Sequence, residues 1–414
     1  MDEMDLLFGE VATLTRRHDL WRKMECINLI ASENVMSPVA EELYLNDMAH
    51  RYAEGLPFKR YYQGHKYLDP AEVKTQEMFK RLFNADFVDL RPLSGTIANL
   101  SIYAAFLKPG DKVAAMDIPH GSHVSHTVHG ALGIREVNQI FLPFDASVMN
   151  IDVDKAVKII EEEKPKMVIL GASLFLFPHP VKEISEAAKS VDATVVYDAA
   201  HVLGLIAGKQ FQRPFEEGAD IITSSTHKTF PGPQGGLIMA KDGVDFEKIQ
   251  KGIFPKLVCN HHIHRIPALA RTAWEMWKYG ESYAKQTIKN AKALAEKLCE
   301  LGFKVLAEDL GFTQSHQVVL DVSNYGKAGE LAKRLEENNI IANKNMIPGD
   351  YVSKEKMKEP SGIRIGTQEM TRWGCKEKDM DVIAEFIKRV IVDKENVKEE
   401  VKAFRLNFQN VHYC

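Results

Sequence analysis

Short apolar segments alternate with amphipathic or charged segments along the first two thirds of the chain. One helical pattern follows Ser94, places Ile97, Leu100 and Ala104 on one face, and stops at Pro109-Gly110, while a charged helical pattern covers 153–163. Short apolar runs between helical spacers are typical of a mostly parallel sheet that is buried on both faces. The predicted strands lie in FVDLRP (87–92), VAAM (113–116), MVILGAS (167–173), TVVYDAAH (194–201), DIITSSTHK (220–228) and GGLIMA (235–240).

The pattern changes from about Trp274. A long amphipathic helix is predicted from about Ser282 to Leu301, and Gly302 is its C-terminal stop. Strand-like and helix-like segments then alternate, and they predict a smaller α+β unit. Those segments are HQVVLDV (316–322), GELAKRLEENN (329–339), SGIRIGT (361–367) and a last helix with Ile383, Phe386, Ile387 and Val390 on one face. We divide the chain into an N-terminal arm (1–50), a large α/β domain (51–275) and a small C-terminal domain (276–414).

Composition narrows the class of protein. The chain has 414 residues, of which 45% are hydrophobic and 27% charged, and its formal net charge is −4. This balance argues against a nucleic-acid partner. The five cysteines are scattered without a CxxC pair, the first residues are acidic, and the longest apolar stretch without charge, Met167 to Pro178, is too short to span a bilayer. We expect a cytoplasmic protein with no disulfide framework, no structural zinc site and no membrane segment.

The most informative stretch surrounds Lys228 in SSTHKTFPGPQGG (224–236), between two predicted strands. A lysine at a strand end, among hydroxyls and glycines, is unusual for a solvated charge. Such a lysine loses its proton when it is partly desolvated, and it can then form a Schiff base with a carbonyl. The alternative from this loop alone is a surface lysine in a Gly/Pro turn.

Two further features favour the Schiff-base interpretation. Asp198 ends an apolar strand, where α/β sheets bind their ligands. Ser94-Gly95-Thr96 opens a helix, whose free N–H groups and dipole favour an anion. Pyridoxal phosphate requires a lysine for its aldehyde, an acid for its pyridine nitrogen and donors for its phosphate. The three features together predict a pyridoxal-phosphate site.

At several motifs the sequence resembles the serine hydroxymethyltransferase family, which is part of the fold-type-I group of pyridoxal-phosphate enzymes. The resemblance covers nearly the whole chain, and the strings HGSHVSH, SLFLFPHP and NHHIH resemble the archaeal branch of the family. It implies an α/β fold with a large, mostly parallel seven-stranded-type sheet and a smaller C-terminal α+β domain. The motifs that carry it are NLIASEN (28–34), RYAEG (51–55), RYYQG (60–64), DAAH (198–201), THKT (226–229) and SGIRIGT (361–367).

The resemblance also implies roles for individual residues around the cofactor. Lys228 would bind the cofactor covalently, Asp198 would pair with the pyridine nitrogen, and His123 would stack on the ring. Ser173 and His201 would lie near the phenolic oxygen of the ring. The residues implied around the phosphate are Ser94, Gly95, Thr96, Ser225 and His227.

Further residues are implied at the substrate and at a second substrate. Arg364 would bind the carboxylate of L-serine, assisted by Ser32 and Tyr52. Glu54 and Tyr62 would act at the substrate hydroxymethyl group from the neighbouring subunit of a homodimer. A reduced pterin, either tetrahydrofolate or tetrahydromethanopterin, would accept the one-carbon unit and leave glycine. The positions that match pterin contacts are Ile118, Gly121, Ser122, Val124 and Asn343.

Alternatives to this function are a carrier-independent aldolase for 3-hydroxy amino acids, such as a threonine aldolase, and a non-catalytic dimeric homologue. The histidines around His123 are irregularly spaced and lack a thiolate or acid cluster, so we expect no metal site. The chain departs from the usual family pattern at Phe58, a usual glycine, and at Gln234, a frequent arginine. It also lacks the usual Gly- and Gln-rich turn at 256–262, where Asn260 or His261 would replace a cross-subunit phosphate contact.

Overall fold

Strands of two sheets organise the chain in this computed structural model, which describes residues 2–350 and 359–414. The strands are β1 (Ile27–Asn28), β2 (Gly55–Leu56), β3 (Lys59–Arg60), β4 (Phe87–Asp89), β5 (Lys112–Ala115), β6 (Asn138–Phe141), β7 (Phe144–Asp145), β8 (Asn150–Ile151), β9 (Met167–Leu170), β10 (Thr194–Asp198), β11 (Ile221–Ser225), β12 (Gly236–Ala240), β13 (Lys304–Val305), β14 (Gln317–Asp321), β15 (Ile340–Ile341), β16 (Asn343–Asn345) and β17 (Gly362–Gly366).

The helices connect these strands and cover the larger sheet. None of the described helices combines the length and the apolar character that a membrane crossing requires. The helices are α1 (Glu3–Leu20), α2 (Pro38–Tyr44), α3 (Leu68–Phe83), α4 (Gly95–Phe106), α5 (Val153–Glu163), α6 (Val181–Ser190), α7 (Leu203–Ala207), α8 (Phe246–Ile253), α9 (Arg265–Glu300), α10 (Ala328–Glu337), α11 (Gln368–Arg372), α12 (Glu377–Ile391) and α13 (Lys398–Arg405).

The larger sheet has seven strands in the order β4-β12-β11-β10-β9-β5-β6. Strand β12 runs antiparallel to β4 and β11, whereas the pairs from β11 to β6 are parallel. Alternate residues of one strand belong to two different hydrophobic cores, as Val168 and Leu170 face one core and Met167 and Ile169 the other. The predicted α/β class and the burial of the sheet on both faces are therefore confirmed.

The smaller sheet is antiparallel, in the order β13-β14-β17-β16, and has its own core. The N-terminal segment is attached to this part of the chain, because β1 pairs in parallel with β15. The helix predicted from Ser282 begins much earlier, at Arg265, and α9 runs without a break through the predicted boundary at 275. The division into three domains stays a prediction.

Two other details differ from the predictions, and a third agrees with them. Strand β6, with the sequence NQIF, was not predicted, because half of this edge strand is polar. The helix predicted as the last one, α12, is followed by α13. Gly302 follows α9 with a φ of +88°, the left-handed conformation expected at a helix stop.

A buried carboxyl group in α11 makes the stability of this fold sensitive to pH. Glu369 is 4% exposed, and its Oε1 accepts hydrogen bonds from Asn28 Nδ2 at 2.8 Å and from Trp373 Nε1 at 3.3 Å. Burial raises the pKa of this carboxyl from 4.5 to about 7, against the opposing effects of the Trp373 hydrogen bond and the Arg22 charge. The folded state thus retains a proton that the unfolded state releases between these two pH values.

We predict that Glu369→Gln makes the protein relatively more stable as the pH rises. The stability that protonated Glu369 contributes is complete below about pH 4.5 and is lost as the pH rises through about 7. An amide carries no charge to desolvate, so the variant avoids a loss on the order of 3 kcal/mol. Thermal unfolding midpoints at pH 5 to 8, compared with wild type, measure the difference.

The matched control for this prediction is Glu161→Gln, a change at an exposed position of α5. Its midpoint should follow that of wild type across the same range. A constant difference between Glu369→Gln and wild type at every pH would contradict the prediction.

Candidate active site

The candidate site lies at the carboxyl ends of the parallel strands, where β9, β10 and β11 lead into loops. Asp198 is the last residue of β10, and Lys228 lies in the loop between β11 and β12. One cavity is lined by both residues and by most of the predicted cofactor-binding residues. Its lining is Ser94, Gly95, Thr96, Asn99, His123, Ala172, Asp198, Ala200, His201, Ser225, His227 and Lys228.

Lys228 is half-buried in the cavity wall, and its backbone carbonyl is held from the N-terminal segment. Asn34 donates from Nδ2 to the Lys228 carbonyl at 2.7 Å and to the Tyr283 hydroxyl at 2.9 Å. Burial lowers the pKa of the Lys228 ammonium to about 8; the Asp198 charge opposes this shift, and Arg364 adds to it. About a tenth of the amine is therefore neutral, and so nucleophilic, at pH 7, a far larger fraction than for an ordinary lysine.

Asp198 is 6% exposed and is held ionised by three donors. Oδ2 accepts hydrogen bonds from Asn99 Nδ2 and from His126 Nε2, both at 2.8 Å, and Oδ1 accepts one from the Ala200 amide at 2.9 Å. Burial alone would raise the pKa of this carboxyl, but His126, the Lys228 charge and Asn99 hold it well below its usual range. The cavity therefore contains a fixed negative charge.

His123 and His201 are neutral histidines in the lining of the same cavity. Burial lowers the pKa of His123 to about 4 and that of His201 well below its usual value, so both rings are neutral at pH 7. Nδ1 of His201 accepts a hydrogen bond from Gln317 Nε2 at 3.0 Å. The proton of neutral His201 is therefore on Nε2, and this nitrogen is a hydrogen-bond donor.

The opposite part of the cavity fits an anion. Gly95 and Thr96 are the first residues of α4, and the first N–H groups of a helix have no partner within the helix. The buried Ser225 Oγ and His227 Nδ1 have no hydrogen-bond partner among the described residues. These donors fit a phosphate group, which would satisfy them.

Arg364 of β17 reaches the site from the smaller sheet. Its Nη1 donates to the Ser173 carbonyl at 2.7 Å and to Ser173 Oγ at 3.0 Å, and its Nη2 lies 3.5 Å from Asn343 Oδ1. The buried Nε has no partner among the described residues. Ser173 follows Ala172 of the cavity lining, so the guanidinium lies beside the cavity with donors to spare.

Several of the remaining predicted residues lie in segments next to this cavity. Ser32 lines an adjoining cavity that also includes His227 and Gln234. The pterin-contact positions Ile118, Gly121, Ser122 and Val124 lie in the loop after β5, and Asn343 lies in β16. The Gly121 carbonyl accepts from the Ser173 amide at 2.7 Å, so this loop is attached to the segment that holds Arg364.

Within one chain, the structure does not bring Tyr52, Glu54 and Tyr62 to the cofactor cavity. Tyr52 and Tyr62 are 56% and 47% exposed, and their rings meet edge to face in a separate surface depression. Glu54 lies next to this depression and is half-buried. These three residues belong to a different surface of the chain.

Sequence reasoning missed four residues that hold the predicted ones in place. Asn99 and His126 hold Asp198, Asn34 holds Lys228, and Gln317 holds His201. Asn99 can be noticed in the sequence, because it is a polar residue within the buried and mostly apolar run Ala98–Ile102. The other polar residue of this run is Ser101. In the sequence, His126 belongs to an irregularly spaced run of histidines. Another member of this run, His120, stacks on Phe144 and has no such role.

A nucleophilic lysine, a fixed carboxylate and an anion cradle on one parallel sheet define the class of fold-type-I pyridoxal-phosphate enzymes. The sequence profile described as serine hydroxymethyltransferase matches residues 7–387. The chain belongs to the serine hydroxymethyltransferase family and is a pyridoxal-phosphate-dependent transferase.

Individual relatives agree with this assignment. The chain is 57% identical to a serine hydroxymethyltransferase from Staphylothermus marinus, over 98% of this chain and 92% of the relative. It is 52% identical to one from Aeropyrum pernix, over 100% of this chain and 95% of the relative. A crystal structure of L-threonine transaldolase from Pseudomonas fluorescens superposes with a TM-score of 0.88 at 30% identity, covering 98% of this chain and 92% of the other.

We predict that His126→Leu weakens the binding of pyridoxal phosphate by about tenfold to a hundredfold, because Asp198 loses a charge-assisted hydrogen bond in a buried site. His126→Gln, which retains an N–H donor, should lose less. Absorbance titration of the apoenzyme with the cofactor measures both dissociation constants.

The control for this measurement is His129→Leu, since His129 is an exposed histidine in the same loop. It should bind the cofactor like wild type. Wild-type affinity in His126→Leu would show that the contact with Asp198 does not support cofactor binding.

Proposed function

We propose that this enzyme transfers the hydroxymethyl carbon of L-serine to a reduced pterin, tetrahydrofolate or tetrahydromethanopterin, and releases glycine in one-carbon metabolism. The observation that carries the proposal is the position of Arg364 beside the cavity that contains Lys228 and Asp198. An amino-acid substrate needs a cationic group for its carboxylate, which Arg364 provides. It also needs a site for the chemistry at its amine, which the cavity with Lys228 and Asp198 provides. The family membership of the chain supports the same reaction.

Bound pyridoxal phosphate supplies a carbonyl for amines and a ring that accepts the electrons of the bond broken at Cα. The chain's own residues prepare the site for this chemistry. Lys228 offers a partly neutral amine, and ionised Asp198 stabilises a positive charge on the ring nitrogen. We assign Nε2 of His201, together with Ser173, to the phenolic oxygen of the ring and the face of His123 to ring stacking.

Arg364 is assigned to the substrate carboxylate. Its planar guanidinium can bind both carboxylate oxygens, and Ser173 fixes its orientation through Nη1. A fixed carboxylate determines which bond at Cα stands perpendicular to the ring, and so which bond breaks. Ser32 is assigned as an additional hydrogen-bonding group at the substrate of its own chain, and Tyr52, which lies in the separate depression with Tyr62, as one at the substrate of a partner subunit.

Glu54 and Tyr62 are proposed to act in the site of a partner subunit, with Glu54 moving a proton at the substrate hydroxyl. Their distance from the cavity of their own chain supports this arrangement. A second support is α1, in which no residue is buried and Met4, Phe8 and Val11 are 70%, 75% and 61% exposed. An apolar helix face of this kind requires a partner, and a homodimer supplies one.

The pterin is proposed to bind at the loop after β5. The buried Ser122 Oγ has no partner among the described residues, and Val124 is 43% exposed. Ile118, Gly121 and Asn343 complete the proposed contact positions. A cytoplasmic location for this reaction is proposed from the five free cysteines.

The first prediction from this function concerns the carrier. Purified enzyme should convert serine to glycine rapidly when tetrahydrofolate or tetrahydromethanopterin is added, and slowly without either. The comparison of the two carriers identifies the physiological class. Lys228→Ala is the inactive control, since it removes the amine that binds the cofactor, and its absorbance should lack the protein-bound cofactor band.

Two outcomes of this assay would contradict the proposal. Equal rates with and without carrier would favour an aldolase. The structural similarity to an L-threonine transaldolase is the observation behind this alternative. Absence of turnover in a yellow, cofactor-loaded protein would favour a non-catalytic homologue.

The second prediction concerns the sharing of sites between subunits. Lys228→Ala and Glu54→Gln homodimers should both be nearly inactive with serine and carrier. Co-expression of the two variants under different affinity tags should yield a hybrid dimer with one restored site, because one site then combines Lys228 of one chain with Glu54 of the other.

The hybrid would be purified through both tags and assayed beside each homodimer. Activity well above that of either homodimer is expected. A hybrid as inactive as its parents would show that Glu54 and Lys228 of the same chain serve one site.

A further inference from the structure

Arg60 holds the backbone on both sides of Glu54. Its Nη1 donates to the Ala53 carbonyl at 2.7 Å and to the Gly55 carbonyl at 2.8 Å. These are the carbonyl groups of the residues directly before and after Glu54, at the start of the β2–β3 hairpin. The Glu54 carbonyl itself accepts a hydrogen bond from the Tyr61 amide at 3.2 Å.

Arg60 is in turn fixed by two carboxylates of α3. Nε donates to Asp69 Oδ1 at 2.8 Å, and Nη2 donates to Glu72 Oε2. The three side chains are buried, with 2%, 6% and 0% exposure. The other oxygen of Asp69 accepts from the Phe58 amide at 2.7 Å, so the turn of the hairpin is attached to the same helix.

The segment at 256–262 joins this cluster from the other side. Asn260 Oδ1 accepts from the Ala53 amide at 2.8 Å, and His261 Nε2 lies 3.3 Å from Glu72 Oε2. His261 is 1% exposed. Both residues are therefore engaged within their own chain, where they support the hairpin.

A buried cluster of charged side chains contributes little net free energy to the stability of a short hairpin. Buried ion pairs often contribute less to stability than apolar side chains of the same volume, because their charges lose hydration. They do fix geometry, since a guanidinium fork accepts a narrow range of partner positions. The hairpin carries Glu54, whose position matters for the proposed chemistry. A fixed backbone geometry is therefore useful at this hairpin.

We propose that Arg60 is a positioning residue for Glu54. It fixes the Glu54 backbone relative to α3, so that the carboxyl group is presented to the hydroxymethyl group of a substrate bound in the partner subunit. The inference rests on the proposed function of Glu54. It assigns Arg60 no contact with substrate or cofactor, and it assigns Asp69 and Glu72 to holding Arg60.

The test is Arg60→Lys, which keeps the charge and loses the fork. A lysine has three donors and one nitrogen, so it does not serve two carbonyls and two carboxylates together. We expect kcat for carrier-dependent serine cleavage to fall about tenfold to a hundredfold. KM for serine and the glycine-induced change in cofactor absorbance should stay near wild type, because Lys228 and Arg364 are unchanged.

The matched control is Arg81→Lys, an exposed arginine of α3 that pairs with Glu77. It should have wild-type kcat. Asp69→Asn is the second variant, which keeps the shape of an anchor while removing its charge, and we expect it to lower kcat in the same way and to a smaller extent. It keeps the inference testable where Arg60→Lys does not fold.

The double variant Glu54→Gln/Arg60→Lys separates positioning from general destabilisation. If Arg60 acts through Glu54, the double variant is no slower than Glu54→Gln alone. Multiplied losses, or wild-type kcat in both Arg60→Lys and Asp69→Asn, would overturn the inference. Failure of the proposed function is a different result, because wild-type enzyme would then lack carrier-dependent turnover.

Discussion

The buried carboxylate of Asp198 is the constraint on which the rest of the site depends. An ionised carboxylate costs several kcal/mol to bury unless donors replace its hydration. Here the donors come from α4, from the loop after β5 and from the residue two positions after Asp198 itself. The donors from α4 and from the loop after β5 are close to β10 because β5, β9, β10 and β11 are neighbours in the sheet, whereas the Ala200 amide directly follows β10. The central sheet thus holds the charge that the cofactor ring requires.

The parts of the fold that sequence predicted are those in which a single pattern determines the outcome. Central strands such as β9 and β10 are continuous apolar runs, because both faces of the sheet are covered. The predicted start of α9 is too late, since its first turns bury polar residues such as Arg265 and Glu275 through tertiary contacts. Periodicity alone does not register a buried polar residue whose partners are distant in sequence.

The same distinction applies to the site. Lys228, Asp198 and the Ser94–Thr96 turn were found because each residue has an unusual chemical setting in its own segment. Asn34 and Gln317 were missed because their importance lies in contacts that span 194 and 116 positions of sequence. Residues with an unusual chemical setting in their own segment are thus easier to predict than the residues that hold them in place.

The departures from the family pattern have local explanations in the structure. Phe58 has a φ of +61°, a conformation that favours the usual glycine and that costs a larger residue about 1–3 kcal/mol. The hydrogen bond from its amide to Asp69 supports this turn. Gln234 is exposed, so it replaces an arginine without burying a new polar group.

The cavity with Lys228 and Asp198 and the guanidinium of Arg364 meet at the contact between the two sheets, and α9 runs unbroken across the predicted boundary at 275. Arg364 of β17 bonds to Ser173 after β9, and Gln317 of β14 bonds both to Ser173 and to His201. Any rotation of the smaller sheet would move Arg364 relative to Lys228 and would break these bonds in the cavity itself. A continuous α9 packs against both β14 and α3, and so opposes that rotation. The contact between the sheets therefore sets the distance between Arg364 and Lys228.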